Sequence, residues 1–122
     1  MTPAPRPFWI ERTPDPVFAV LHPADPGVEA RPPVLIVPPW GWHEVASYRS
    51  RRTWAAHLAA AGRATLRIDL PGTGDSGGTA ASPGQVDAWI DAVRAAATWL
   101  AVTTSSEAVT VIGLGLGGLV AA

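Results

Sequence analysis

The sequence predicts an α/β fold with a mainly parallel sheet and helices on both faces. Strand-like apolar runs alternate with helix-like stretches in the order β-β-β-α-β-α-β-(α). That alternation implies parallel strands joined by right-handed crossovers. Two of the runs, Val34–Val37 and Val109–Ile112, are apolar on both faces, which suits central strands covered from both sides. At 122 residues the chain is sized for one domain.

The elements follow in order. The first seven residues, with prolines at 3, 5 and 7, are expected to be disordered. Residues 8–12 and 17–21 are short apolar runs split by Thr-Pro-Asp-Pro and read as two strands joined by a turn. His22 to Gly27 is a loop. Val34–Val37 is a strand that Pro38-Pro39 ends. Ser50 to Ala61 reads as a helix with Trp54, Leu58 and Ala61 on one face and Gly62 as its stop. Residues 64–70 alternate and read as a strand, and Pro71 to Gly78 is loop. The next helix has Ser82 as candidate N-cap and a buried stripe of Val86, Trp89, Ile90, Val93, Ala97 and Leu100. Asp87 and Asp91 lie near its start, where the helix dipole favours them. After the Val109–Ile112 strand, Gly113 to Gly118 turns into a last helix with room for barely one turn before Ala122. Isolated helices that short are unstable, so the pattern predicts a chain truncated in mid-element.

Composition narrows the function classes. Only 16% of residues are charged, against about a quarter in an average globular protein. Nine basic residues, all arginine, face ten acidic ones for a net charge of −1. A nucleic-acid binder would carry a clear cationic excess. The apolar content of 48% argues against a disordered acidic tail. Without cysteine, disulfides, thiolate metal sites and thiol nucleophiles are excluded. No signal-peptide core lies near the start. The longest uncharged stretch, Ala108–Ala122, has 15 residues, short of the roughly 18 that span a bilayer.

The motifs in this order resemble the N-terminal half of an α/β-hydrolase. Val34–Val37 with Pro-Pro-Trp40 sits where the strand and oxyanion loop of that family belong. Ile68-Asp-Leu-Pro-Gly-Thr-Gly-Asp-Ser76 is similar to its D-x-x-G-x-G-x-S loop, and Val109 to Gly117 to its strand, nucleophile elbow and helix. Leu21-His-Pro, the Pro-Pro-aromatic loop followed by Glu44, Ser50-Arg-Arg52, Ala88-Trp-Ile-Asp-Ala-Val and Trp99-Leu100 resemble the exosortase-associated branch. The resemblance implies a three-layer sandwich, here truncated after the elbow strand. It implies cleavage of an ester, thioester or amide through an acyl-enzyme, no cofactor, a small acyl substrate or ligand, and a cytoplasmic place in a bacterial surface-polysaccharide or exosortase system.

Carried over, the nucleophile position at the centre of G-x-S-x-G is Gly115, which has no nucleophile. The oxyanion hole implied by the resemblance is the backbone N–H of Leu116 with that of Trp40. The family's acid and histidine follow later in its chain order, and this sequence runs only seven residues past Gly115. The expectation is a chain without acyl-transfer activity, hence either a fragment or a non-catalytic binding or scaffold protein. The Val109–Ile112 strand, central in that topology, would here be an exposed edge prone to self-association.

Other readings compete. Gly113-x-Gly-x-x-Gly118 after an apolar strand fits the dinucleotide fingerprint, as if a Rossmann domain began at 109. Gly74-Asp-Ser-Gly-Gly78 with Ala55-Ala-His57 resembles chymotrypsin-like protease motifs, but the 19 residues between His57 and Ser76 leave no room for two β-barrels. The plainer reading puts Ser76 or Asp75 on local backbone. His43, Glu44 and Asp69 are pocket candidates, with loop anchoring as the plainer role of Asp69. Arg49, Arg51 and Arg52 are placed at a helix start, solvated, binding an anion, or with one paired to Glu44. His22 is read as structural. No His or carboxylate pair has metal-ligand spacing.

Overall fold

The computed structural model describes residues 2–12, 15–78 and 84–121. Five strands form one mixed sheet: β1 (Arg6–Ile10), β2 (Val17–His22), β3 (Val34–Val37), β4 (Thr65–Ile68) and β5 (Thr110–Gly113), in spatial order β1-β2-β4-β3-β5. β3 is parallel to both β4 and β5, whereas β2 runs antiparallel to β4 and β1 antiparallel to β2. The helices are α1 (Trp42–Ala60), α2 (Gln85–Thr104) and α3 (Leu116–Ala121).

Period-two alternation divides the strands between two cores. Val17, Ala19, Leu21, Leu35, Val37, Leu66 and Ile68 pack with Trp89, Val93 and Leu100 of α2, and α3 adds Val120 and Ala121 to the same side. Val34 and Ile36 face the opposite way onto Ala55 and Leu58 of α1. The result is three layers, α1 over one face and α2 with α3 over the other. The predicted α/β class is present, but the sheet is mixed and not mainly parallel: β4, β3 and β5 are parallel, and β2 is antiparallel to both its neighbours.

Four details differ from expectation. Arg6 and Pro7 are not disordered, because β1 pairs them with Leu21 and Val20. The first helix begins at Trp42, not at Ser50. Gly41, at φ +67°, makes the break, and nothing from Trp42 to Ser50 interrupts a helix once begun. Its buried stripe is Arg51, Ala55 and Ala59, one residue round from the expected Trp54, Leu58 and Ala61. Small alanines let the helix sit close to the sheet, and Trp54 is left largely exposed. The three arginines therefore lie within the helix, not at its start. In α2 the buried positions are Trp89, Ala92, Val93, Ala96 and Leu100, while Val86 is 60% exposed. The residue preceding α2 is Gly84, and Ser82 lies outside the described residues.

Candidate active site

The C-terminal ends of β3, β4 and β5 point the same way, and the three loops that leave them build the site. From β3 comes Pro38-Pro39-Trp40-Gly41. From β4 comes the segment starting at Asp69. From β5 comes the turn Leu114-Gly115 into α3. In open α/β sheets this end of the strands is where ligands bind.

The β5–α3 turn is tied down tightly. Leu114 N–H donates to the Val37 carbonyl at 3.1 Å, Gly117 N–H to the Leu114 carbonyl at 2.8 Å, and Gly118 N–H to the Gly115 carbonyl at 3.0 Å. A Cβ on Gly117 would collide with the Pro38 carbonyl, so this glycine lets α3 approach the β3 loop. Gly115 differs. It is at φ +54°, in the left-handed region, and its would-be Cβ meets only Pro39. The turn thus holds a sharp strand-to-helix bend with open space at its apex. Among the described residues, no backbone acceptor takes the N–H of Trp40 or Leu116.

A cleft of about 410 Å³ opens beside this turn. Leu114, Gly115 and Pro39 form one wall, and His43, Ser47, Ser50 and Trp54 of α1 form the other. Those four α1 residues recur at helical spacing, which puts them on one face. Of the three pocket candidates, only His43 lines this cleft. Ser47 is partly engaged, since its hydroxyl donates to the His43 carbonyl at 2.7 Å and accepts from Arg51 Nε at 3.2 Å. On the other side of the loop, Trp40 packs obliquely on Trp89 with ring centres 6.1 Å apart, and Trp89 Nε1 donates to the Pro71 carbonyl at 2.9 Å.

Glu44 and Asp69 belong to a separate, more buried group. Arg51 is only 1% exposed and pairs with Glu44 at 2.9 Å, so one of the three arginines does take that carboxylate. Asp69 Oδ2 accepts the Asp75 N–H at 3.0 Å, anchoring the loop. Burial pushes the Asp69 carboxyl above the usual range, and the Asp75 N–H partly offsets it. Ser76 is a structural clasp: its hydroxyl donates to the Asp69 carbonyl at 2.6 Å and accepts the Phe18 N–H at 2.9 Å. His57 sits in the last turn of α1, at the opposite end of the sheet, so no protease-like Ser–His pair forms. His22 Nε2 accepts from Arg67 Nε at 3.0 Å, and burial lowers its pKa to about 4, so this imidazole is neutral and structural. Sequence reasoning passed over Arg67 and Tyr48; an arginine inside an alternating central strand was the available signal. No cluster of three His, Asp or Glu among the described residues could hold a metal. None of their helices is long and apolar enough to cross a membrane.

No family model and no curated protein matches this sequence. Solved structures do. An α/β serine hydrolase without a lid from Xanthomonas campestris superimposes with a TM-score of 0.78 at 19% identity, covering 95% of this chain and 53% of its own. An α/β serine hydrolase homologue from Coxiella burnetii gives 0.77 at 19% identity, covering 95% and 54%. A highly thermostable carboxyl esterase from Bacillus coagulans gives 0.72 at 16% identity, covering 98% and 39%. The chain has the fold of the α/β hydrolases and spans about half the length of the first two of these structures. The glycine-rich turn after β5 does not open a new dinucleotide domain: β5 joins the existing sheet by pairing with β3.

Proposed function

We propose that this chain forms the oxyanion-loop and elbow side of an α/β-hydrolase-type site that binds an acyl compound without forming an acyl-enzyme. The observation that carries this reading is Gly115. It lies at φ +54° in the turn from β5 into α3, the position that the sequence resemblance gives to the nucleophile, and it brings no attacking atom. Covalent acyl transfer needs a nucleophile and a base to take its proton, and glycine supplies neither. The Trp40 and Leu116 N–H groups need no particular side chain, so carbonyl recognition survives the loss of chemistry.

The cleft favours a small ligand with an apolar body and a carbonyl: Trp54, Leu114 and Pro39 supply apolar wall, and His43 and Ser50 supply polar groups. The finer reading, a non-catalytic relative of the exosortase-associated hydrolases acting in the cytoplasm, rests on the sequence motifs alone. The test is twofold. Turnover of p-nitrophenyl acetate should equal that of buffer, and short-chain acyl amides should perturb the Trp54 and His43 NMR signals. Rapid ester turnover abolished by a fluorophosphonate would overturn the proposal.

A second reading concerns assembly. Among the described residues β5 pairs with β3 alone, and Val111 and Ile112 are each 37% exposed. An unprotected edge of this kind is a template for another strand, so the chain is proposed to self-associate through it. Concentration-dependent sedimentation, suppressed by Val111→Lys, supports this; a monomer at all concentrations does not.

A further inference from the structure

The α2 face of the sheet carries a second cavity, at the opposite end from Gly115. β2 runs antiparallel to β4, and its register sets Leu21 and His22 against Leu66 and Thr65, at the start of β4. β1 brings Arg6 opposite Leu21. Trp99 of α2 packs on Phe8 of β1, with ring centres 4.5 Å apart. This corner lies at the N-terminal end of the parallel strands, away from the loops that build the elbow.

A cavity of about 320 Å³ opens there, lined by Arg6, Pro7, Phe8, Leu21, Trp99 and Thr103. That is at the small end of the volumes that hold ligands. Its body is apolar: two aromatic rings, a leucine and a proline. Phe8 and Trp99 are half-buried against the core, which fixes the walls before any ligand arrives. Fixed walls lower the ordering cost of binding.

The polar groups of the cavity are one cation and two neutral donors. No carboxylate lines it. Among the described residues the Arg6 guanidinium has no ion-pair or hydrogen-bond partner. The indole N–H groups of Trp9 and Trp89 donate to backbone carbonyls, whereas that of Trp99 donates to no described residue. The Thr103 hydroxyl is likewise unused, although its neighbour Thr104 donates to the Leu100 carbonyl. Trp99 and Thr103 stand four residues apart and share one face of α2. The negative end of the α2 dipole would oppose an anion. It is blunted here, because the Ala101 and Val102 carbonyls accept the Ser106 and Ser105 N–H groups at 3.0 and 3.2 Å.

We propose that this corner binds a small aromatic carboxylate, its ring against Phe8, Leu21 and Trp99 and its carboxylate on the Arg6 guanidinium. An arginine fork matches a carboxylate with two charge-assisted N–H bonds. The Thr103 hydroxyl is a further donor to it. Aromatic walls favour a ring over an alkyl chain, because offset and edge contacts add to the area buried. The site is separate from the cleft beside Gly115 and does not rest on the acyl binding proposed there.

The experiment is isothermal titration of the chain with naphthoate, naphthalenemethanol and naphthylmethylamine, which share one ring system and differ in charge. Heteronuclear NMR locates each ligand. The expected result is saturable binding of naphthoate, with shifts at the Trp99 indole N–H and the Phe8 and Leu21 amides. The alcohol should bind about tenfold more weakly, the loss of one charge-assisted contact, and the amine more weakly still. Arg6→Gln removes an exposed charge and no core contact. It should bring naphthoate down to the affinity of the alcohol and leave the alcohol unchanged. Equal affinity for the three ligands overturns the proposal, as does unaltered naphthoate binding in Arg6→Gln. Titration without saturation also overturns it. So do shifts confined to Trp54, Leu114 and Gly115, which would put the ligand in the other cleft.

Discussion

A Cβ on Gly115 would lie 3.4 Å from the Cβ of Pro39, an ordinary van der Waals contact. Space is therefore not what excludes a side chain from the elbow. The backbone conformation is the only penalty, and a left-handed residue other than glycine costs about 1–2 kcal/mol.

Gly115→Ser should fold and lose about 1–2 kcal/mol of unfolding free energy in urea. Gly117→Ala should lose more, toward or above the roughly 3 kcal/mol upper range for overpacking, because its Cβ would meet the Pro38 carbonyl. Parallel urea melts check the order. Equal losses would mean that α3 is not pressed against the β3 loop as described.

The ion pair between Arg51 and Glu44 should be important to stability. Glu44→Ala leaves the guanidinium of Arg51, 1% exposed, with backbone and hydroxyl acceptors only. Glu44 keeps some contact with solvent, so the loss should fall near the lower end of the roughly 3–5 kcal/mol typical of a broken buried pair. Differential scanning calorimetry measures it. An effect under about 0.5 kcal/mol, as for exposed pairs, would contradict the buried geometry.

His22 makes stability fall in mild acid. Its folded pKa of about 4 lies below the usual 6.5, so the unfolded chain binds the extra proton first. The stabilisation is complete above pH 6.5 and is lost as pH drops toward 4, on the order of 2–3 kcal/mol. Asp69, whose folded pKa is raised, acts in the opposite sense: its contribution is present at low pH and is lost as pH rises through its folded value. The difference in pH profile between the chain and His22→Gln isolates the histidine. Parallel profiles would refute the neutral His22–Arg67 pair.

Ser76 should matter to folding and not to chemistry. Ser76→Ala removes both the acceptor for the Phe18 N–H and the donor to the Asp69 carbonyl, for a loss of about 1–3 kcal/mol. Ligand titrations of the Gly115 cleft should be unchanged. A loss of ligand binding at unchanged stability would make Ser76 part of the site.

The legible part of this fold was its alternation. Val34–Val37 has both faces buried, and Leu66 and Ile68 sit on one face of β4 while Thr65 and Arg67 sit on the other, as period two requires. The start of α1 was illegible because Trp42 to Ser50 has no apolar stripe; a helix resting on Arg51, Ala55 and Ala59 shows no strong periodic signal. Gly115 could be located from its neighbours in sequence. The separation of His43, which lines the cleft, from Glu44, which turns to Arg51, could not, because it depends on which face of α1 meets the sheet.

The central claim is an elbow without a nucleophile, and covalent labelling tests it most directly. The chain is incubated with an alkyl fluorophosphonate and analysed by intact mass spectrometry and peptide mapping. The account predicts no stoichiometric adduct on any serine, including Ser50 in the cleft beside Gly115. One phosphonyl group per chain, on Ser50 or elsewhere, lost on thermal denaturation before labelling, would show an activated nucleophile and contradict it.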